Sequence, residues 1–155
     1  MSCYACDHPD TNTLNFVTSS DHWNVFLNNE QACLGRMVVV AKRHVPSLGE
    51  LTQQEQLDFF KLVKILEDSV KTAFGASLSN WSCLMNDAYQ EEDPRPHVHW
   101  HLRPRYKNNV ELNGQTFSDP EFGHHYSRER KFNVDDITVK IIVDKIKSAI
   151  IKNSQ

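Results

Sequence analysis

The sequence predicts an α+β domain: an antiparallel sheet of about five strands, one long central helix packed on it, and a C-terminal helix covering another surface. Three patterns support this: short apolar runs bounded by polar turns, one strongly capped helical period, and a second helical period near the end. In chain order, "LNFVTS" and "WNVFLN" read as strands joined by Ser20, Asp21 and His22, and the β-branched "GRMVVVAKR" adds a third, giving an antiparallel meander. Thr52 and Glu55 then form a capping-box pattern. Leu57, Phe60, Val63, Leu66 and Val70 recur at helical spacing until Gly75, which places a helix at about residues 53–74. "NWSCLMND" and "HVHWHLRPR" read as two more strands, separated by "AYQEEDPRP". Asn133 opens the last element, where Val139, Ile142, Val143, Ile146 and Ile150 keep a helical period despite their β-branching. Residues 107–132 are polar, and their pattern predicts only a hairpin turn at Asn113-Gly114.

A chain of 155 residues with 39% hydrophobic content fits one compact domain, and no repeat, low-complexity tract or linker divides residues 1–155. The formal charge is -3 with scattered basic residues, so the clustered positive surface that binds nucleic acid is missing. The N-terminal "MSCYACDHPD" lacks a basic-then-apolar leader, and no apolar run reaches membrane-span length; the expectation is a cytosolic protein that does not engage membranes. In that reducing setting the four cysteines read as thiols or metal ligands rather than disulfides.

Chemistry is signalled most strongly by "PHVHWHLRPRY", which holds three of the chain's 8 histidines at alternate positions. On a strand, side chains alternate faces, so His97, His99 and His101 would share one face and Val98, Trp100 and Leu102 the other. Near neutral pH such imidazoles can act as nucleophile, proton carrier or metal ligand, which suits work on an anionic or polarised group.

"HVHWHLRPRY" resembles the His-x-His-x-His motif of the histidine triad superfamily, whose members are nucleotide hydrolases and nucleotidyl transferases. "GRMVVVAKRHV" is similar to that family's second strand with its terminal basic residue and histidine. "LMND" places Asn86 eleven residues before His97, as the family pattern requires. The motif-bearing core covers about residues 3–106, with the 107–155 tail outside the resemblance.

The resemblance implies that His99 is the nucleophile that attacks the α-phosphorus and forms a nucleotidyl-imidazole intermediate, which water then releases as a nucleoside monophosphate. It implies that His101 serves the phosphate or leaving group and that Asn86 orients the phosphate. Cys3-x-x-Cys6, by itself compatible with a redox pair or with two ordinary thiols, matches the zinc-binding pair of several relatives. Their remaining ligands correspond here to His44 and His97, and two thiolates with two imidazoles make a closed tetrahedral structural site. Cys33 and Cys83 read as small apolar residues.

Two departures bear on the substrate. Arg36 stands where many members carry a fourth histidine; its guanidinium can hold phosphate but cannot carry a proton. Glu92, Asp93, Pro94 and Arg95 replace a phosphate-contacting glycine, glutamine and serine pattern, leaving Arg95 as the local phosphate contact. The expected activity is hydrolysis of a nucleotide at the α-phosphate, with a dinucleoside polyphosphate such as diadenosine tetraphosphate as leading substrate and a homodimer as the working form. The alternatives are a nucleoside phosphoramidase or nucleotidyl transferase, a non-catalytic nucleotide-binding regulator, and a zinc-dependent interaction module.

Overall fold

The computed structural model describes residues 11–127 and 129–155. Strands β1 (Phe16–Ser19), β2 (Trp23–Leu27) and β3 (Met37–Ala41) form the expected meander. Helix α1 (Gln53–Phe74) follows, then β4 (Leu78–Ser82) and β5 (His99–Arg105). A hairpin of β6 (Val110–Leu112) and β7 (Gln115–Phe117) precedes the C-terminal helix α2 (Asp136–Asn153). The five-stranded sheet has the order β1-β2-β3-β5-β4 with every pairing antiparallel, so β5 lies between β3 and β4 and both its neighbours brace it.

Alternation gives the sheet two unlike faces. Trp23, Val25, Leu27, Met37, Val39, Ala41 and Leu102 are buried and join Leu62, Leu66 and Val70 of α1 and Val139, Ile142 and Ile146 of α2 in one core. Asn24, Phe26, Val38, Val40, His99 and His101 alternate with them and are only half-buried, leaving that face open to a ligand. Trp23 ties the layers together: it is fully buried, lies against Phe59 at 5.2 Å between ring centroids, and donates its indole N–H to the Glu55 carbonyl at 2.9 Å.

Helix α1 starts and stops where its capping residues predict. The Thr52 hydroxyl accepts from Glu55 N, the Glu55 carboxylate accepts from Thr52 N at 2.7 Å, and Gly75 closes the helix at φ 75. Arg43 adds two hydrogen bonds of 2.8 Å to the buried Glu55 carboxylate and, with the Thr52 contacts, holds its pKa down at about 2.

The buried stripe of α1 differs from the one expected. Phe59, Leu62, Leu66, Val70 and Phe74 face the core, whereas Leu57 and Phe60 are 56% and 68% exposed. Steps of three residues rotate a helix by roughly -60° each, so the run 57, 60, 63, 66 travels about half-way round the barrel of the helix. The apolar residues therefore occupy two faces, and only one meets the sheet.

Three other boundaries shift. Strand β4 ends at Ser82 rather than running to Asp87, and Asn86–Gln90 winds into a short 3-10 turn. His97 lies two residues before β5 begins, with the 98 peptide bonded to Val45 O and Ala41 N. Asn133 does not open α2; it bridges to Glu30, and the Asp135 carboxylate caps the helix by accepting from Thr138 N at 2.8 Å. Asn113 and Gly114 do make the hairpin turn, at φ 50 and 70, the left-handed pair that matches strand twist. Among the described residues no helix is long and apolar enough to cross a membrane.

Candidate functional site

The register of β5 sets the site. His99 lies opposite Val40 and His101 opposite Val38 on β3, while Ser82 of β4 faces His101 from the other side. The two imidazoles meet edge to face with centroids 4.9 Å apart. His99 Nδ1 lies 2.8 Å from the His97 carbonyl oxygen. A carbonyl only accepts, so Nδ1 carries the proton, and in the neutral ring Nε2 holds the lone pair needed by a nucleophile.

His97 plays a different part. Its Nε2 donates to Ala41 O at 2.7 Å, which leaves Nδ1 as the basic nitrogen, and that atom stands 3.2 Å from Nδ1 of His44. Burial lowers the His97 pKa, and the nearby His44 and His99 act in the same direction against the Ala41 hydrogen bond, so the ring is neutral at pH 7. Cys3 and Cys6 lie outside the described residues. Among the described residues no group of three or more His, Cys, Asp or Glu side chains is placed to hold a metal ion.

Beside His101 a cavity of about 200 Å³ opens, walled by Asn86, Arg36, Arg103, Tyr126 and Arg130. Asn86 and Arg36 both line this cavity together with His101. Arg95 does not: it is exposed and pairs with Asp93 at 3.4 Å. Glu92 and Asp93 are exposed as well, so the acidic loop turns to solvent. Arg36 is held by an ion pair with Glu30, and its buried Nε has no hydrogen-bond partner among the described residues. The charge is therefore partly answered already, while one donor remains to be satisfied.

Several cavity residues were invisible to motif reading. Arg103 prolongs the period-two row of His99 and His101, a signal that the word "triad" cuts short. Its guanidinium donates to Ser82 Oγ at 3.1 Å and sits 4.7 Å over the Tyr126 ring. Tyr126, Ser127 and Arg130 come from the tail, where no local pattern marks them. Cys33, read as a small apolar residue, also lines the cavity, with burial pushing its thiol pKa up.

A buried ion pair fastens the segment that follows the hairpin. Arg105, 2% exposed, grips the Asp119 carboxylate with two hydrogen bonds of 2.6 and 3.0 Å, and also bonds the carbonyls of Glu121 and His124 at 2.7 and 3.0 Å. That clamp carries residues 119–124 across the sheet end and brings Tyr126 over Arg103.

A HIT domain family model matches residues 10–108. Among curated proteins, the chain is 32% identical over 96 residues to a bis(5'-nucleosyl)-tetraphosphatase (asymmetrical) of Schizosaccharomyces pombe, covering 62% of this chain and 52% of that one. It is 32% identical over 75 residues to a bis(5'-adenosyl)-triphosphatase of Saccharomyces cerevisiae, covering 48% and 35%. The chain thus spans about half the length of the first of these relatives and about a third of the second. Two solved structures share the fold. A hypothetical histidine triad nucleotide-binding protein of Sulfolobus tokodaii superposes with TM-score 0.69 at 17% identity, covering 97% of this chain and 93% of that one. A zinc-bound histidine triad family protein of Mycobacterium smegmatis gives 0.61 at 16%, covering 99% and 96%.

Proposed function

The chain belongs to the HIT domain family, and from that premise we propose that it hydrolyses nucleotides at the α-phosphate, with a dinucleoside polyphosphate such as diadenosine tetraphosphate as leading substrate. The observation that carries this reading is the His99 tautomer: the His97 carbonyl holds the Nδ1 proton and leaves Nε2 as the nucleophile beside His101. Nε2 attacks the α-phosphorus, a P–N bond forms, and the P–O bond to the leaving phosphate chain breaks with its electron pair on oxygen. His101 is in place to serve that oxygen. Water then attacks phosphorus and passes a proton to His101, the P–N bond breaks with its electron pair returning to Nε2, and nucleoside monophosphate leaves with His99 regenerated. The half-buried Phe26, Val38 and Val40, on the same sheet face as His99, give a nucleoside an apolar bed.

Incubation with labelled dinucleoside polyphosphates, nucleoside triphosphates and a nucleoside phosphoramidate, with identification of products, tests the reading. The expected product from each cleaved substrate is the nucleoside monophosphate. Cleavage elsewhere than at the α-phosphate would remove the mechanism, and tight binding without turnover would establish the regulator instead.

A structural zinc held by Cys3, Cys6, His44 and His97 belongs to the same proposal. The fit is supported by the two Nδ1 atoms, since 3.2 Å is close to the separation of about 3.3 Å that two nitrogens take on one tetrahedral zinc. When bound, the metal would supply folding energy and no open position for water or substrate. Protein purified without chelator should contain about one zinc per chain by elemental analysis, and Cys3→Ser with Cys6→Ser should lose it together with several degrees of thermal stability. Zinc-free wild-type protein would refute the site.

The homodimer is supported by the second apolar face of α1. Leu57 and Phe60 are exposed there, and Leu78 of the edge strand β4 is 42% exposed. Pairing through helix and edge strand would cover both. Sedimentation should give twice the chain mass, and Phe60→Glu should return a monomer; a monomeric wild type would end the idea.

A further inference from the structure

Resting on the hydrolase reading, we propose that Arg103 and Arg130 form a subsite for the leaving group, which makes the chain selective for leaving groups that are themselves phosphate chains. The cavity lies on the His101 side of the histidine pair, since His101 lines it and His99 does not. A nucleotide attacked by His99 and leaving past His101 would therefore extend its departing part into this space.

The walls suit an anion. Arg36, Arg103 and Arg130 face it against Glu30 and Asp87, and Glu30 is already engaged by Arg36. Arg103 is 8% exposed, so a phosphate beside it is weakly screened by solvent. Arg130 is aimed by two main-chain carbonyls, Ser118 O at 2.9 Å and Ala32 O. Those bonds occupy two of the five N–H donors of a guanidinium and fix the plane of the rest. Tyr126, stacked on Arg103, completes the wall from the tail. An amine leaving group, with no negative charge, would gain little from these residues.

The test compares kcat/KM for diadenosine tetraphosphate and adenosine phosphoramidate in wild type, Arg130→Gln and Arg130→Lys. Loss of charge-assisted hydrogen bonds predicts a fall of about 10- to 100-fold for the tetraphosphate and less than about threefold for the phosphoramidate, with partial recovery in the lysine variant. Equal falls on both substrates would make Arg130 structural and overturn the proposal. Calorimetric binding of inorganic tripolyphosphate to the full chain reads the subsite without turnover. About tenfold weaker binding in Arg130→Gln supports it and unchanged binding overturns it. A chain that cleaves no nucleotide yet binds tripolyphosphate through Arg130 would lose the hydrolase reading and keep the anion site. Arg103→Met, which preserves volume in the buried wall, should repeat the Arg130→Gln result; a variant matching wild type in both assays would remove Arg103 from the subsite.

Discussion

Replacing His99 with alanine is expected to reduce hydrolysis by at least ~10³-fold while leaving nucleotide affinity within about tenfold of wild type. The reason for the split is geometric. Alanine removes the imidazole whose Nε2 is presented by the His97 carbonyl, and so deletes the covalent step. It removes little of the binding surface, because Phe26, Val38 and Val40 stay on the sheet and the arginines stay in the cavity. Rapid quench with α-labelled substrate should trap the label on His99 in wild type and on no residue in the variant. Retention of a tenth of wild-type turnover would sink the mechanism, because without the His99 imidazole no covalent adduct can form at that position. His101→Ala should cost less, about 10²-fold, as help to a leaving group usually does.

What the sequence made legible follows from how local each signal is. The first helix was readable to the residue because its start and stop depend on neighbours: Thr52 and Glu55 cap each other, and Gly75 alone tolerates the left-handed turn. Its core face was not, because Leu57 and Phe60 are as apolar as Phe59 and Leu62, and only the sheet's position chooses between the two stripes. The same holds at the site. His97, His99 and His101 were found through period two and the pairing of His44 with His97 through resemblance, and the structure brings His99 to His101 and His44 to His97. Arg95 was misplaced because nearness in sequence to His97 is not nearness to the cavity. Tyr126 and Arg130 reach the site through contacts far apart in sequence, among them the Arg105–Asp119 ion pair and the Arg130 hydrogen bond to Ala32 O, and no short window contains those relations.

Breaking that ion pair is expected to have the largest effect on stability. Both side chains are 3% exposed, so Asp119→Ala leaves a guanidinium buried without its counter-charge, which typically costs 3–5 kcal/mol. For a chain of this size that corresponds to a fall in Tm of roughly 10 °C by circular dichroism. Asp119→Asn, which keeps one acceptor, should fall in between. Acid gives an independent reading. Burial works to raise the Asp119 pKa, but hydrogen bonds from Arg105 and the Tyr106 amide hold it below the usual carboxylate value of 3.8. A depressed folded pKa means that the pair's stabilisation is complete above the unfolded value and is lost as pH falls through the folded one. Wild type should therefore lose stability progressively below about pH 4, and that slope should be shallower in Asp119→Asn, which has no carboxylate to protonate. The substitution should also reach the chemistry, because residues 121–124 hang on the same guanidinium and Tyr126 follows them onto Arg103. Its activity on diadenosine tetraphosphate should drop further than its activity on adenosine phosphoramidate, at a temperature where the variant is still folded. An Asp119→Ala protein within about 1 kcal/mol of wild type would show that the tail is held by its hairpin and α2 contacts instead, and that the Glu121 and His124 carbonyls and Asn80 Oδ1 suffice for Arg105.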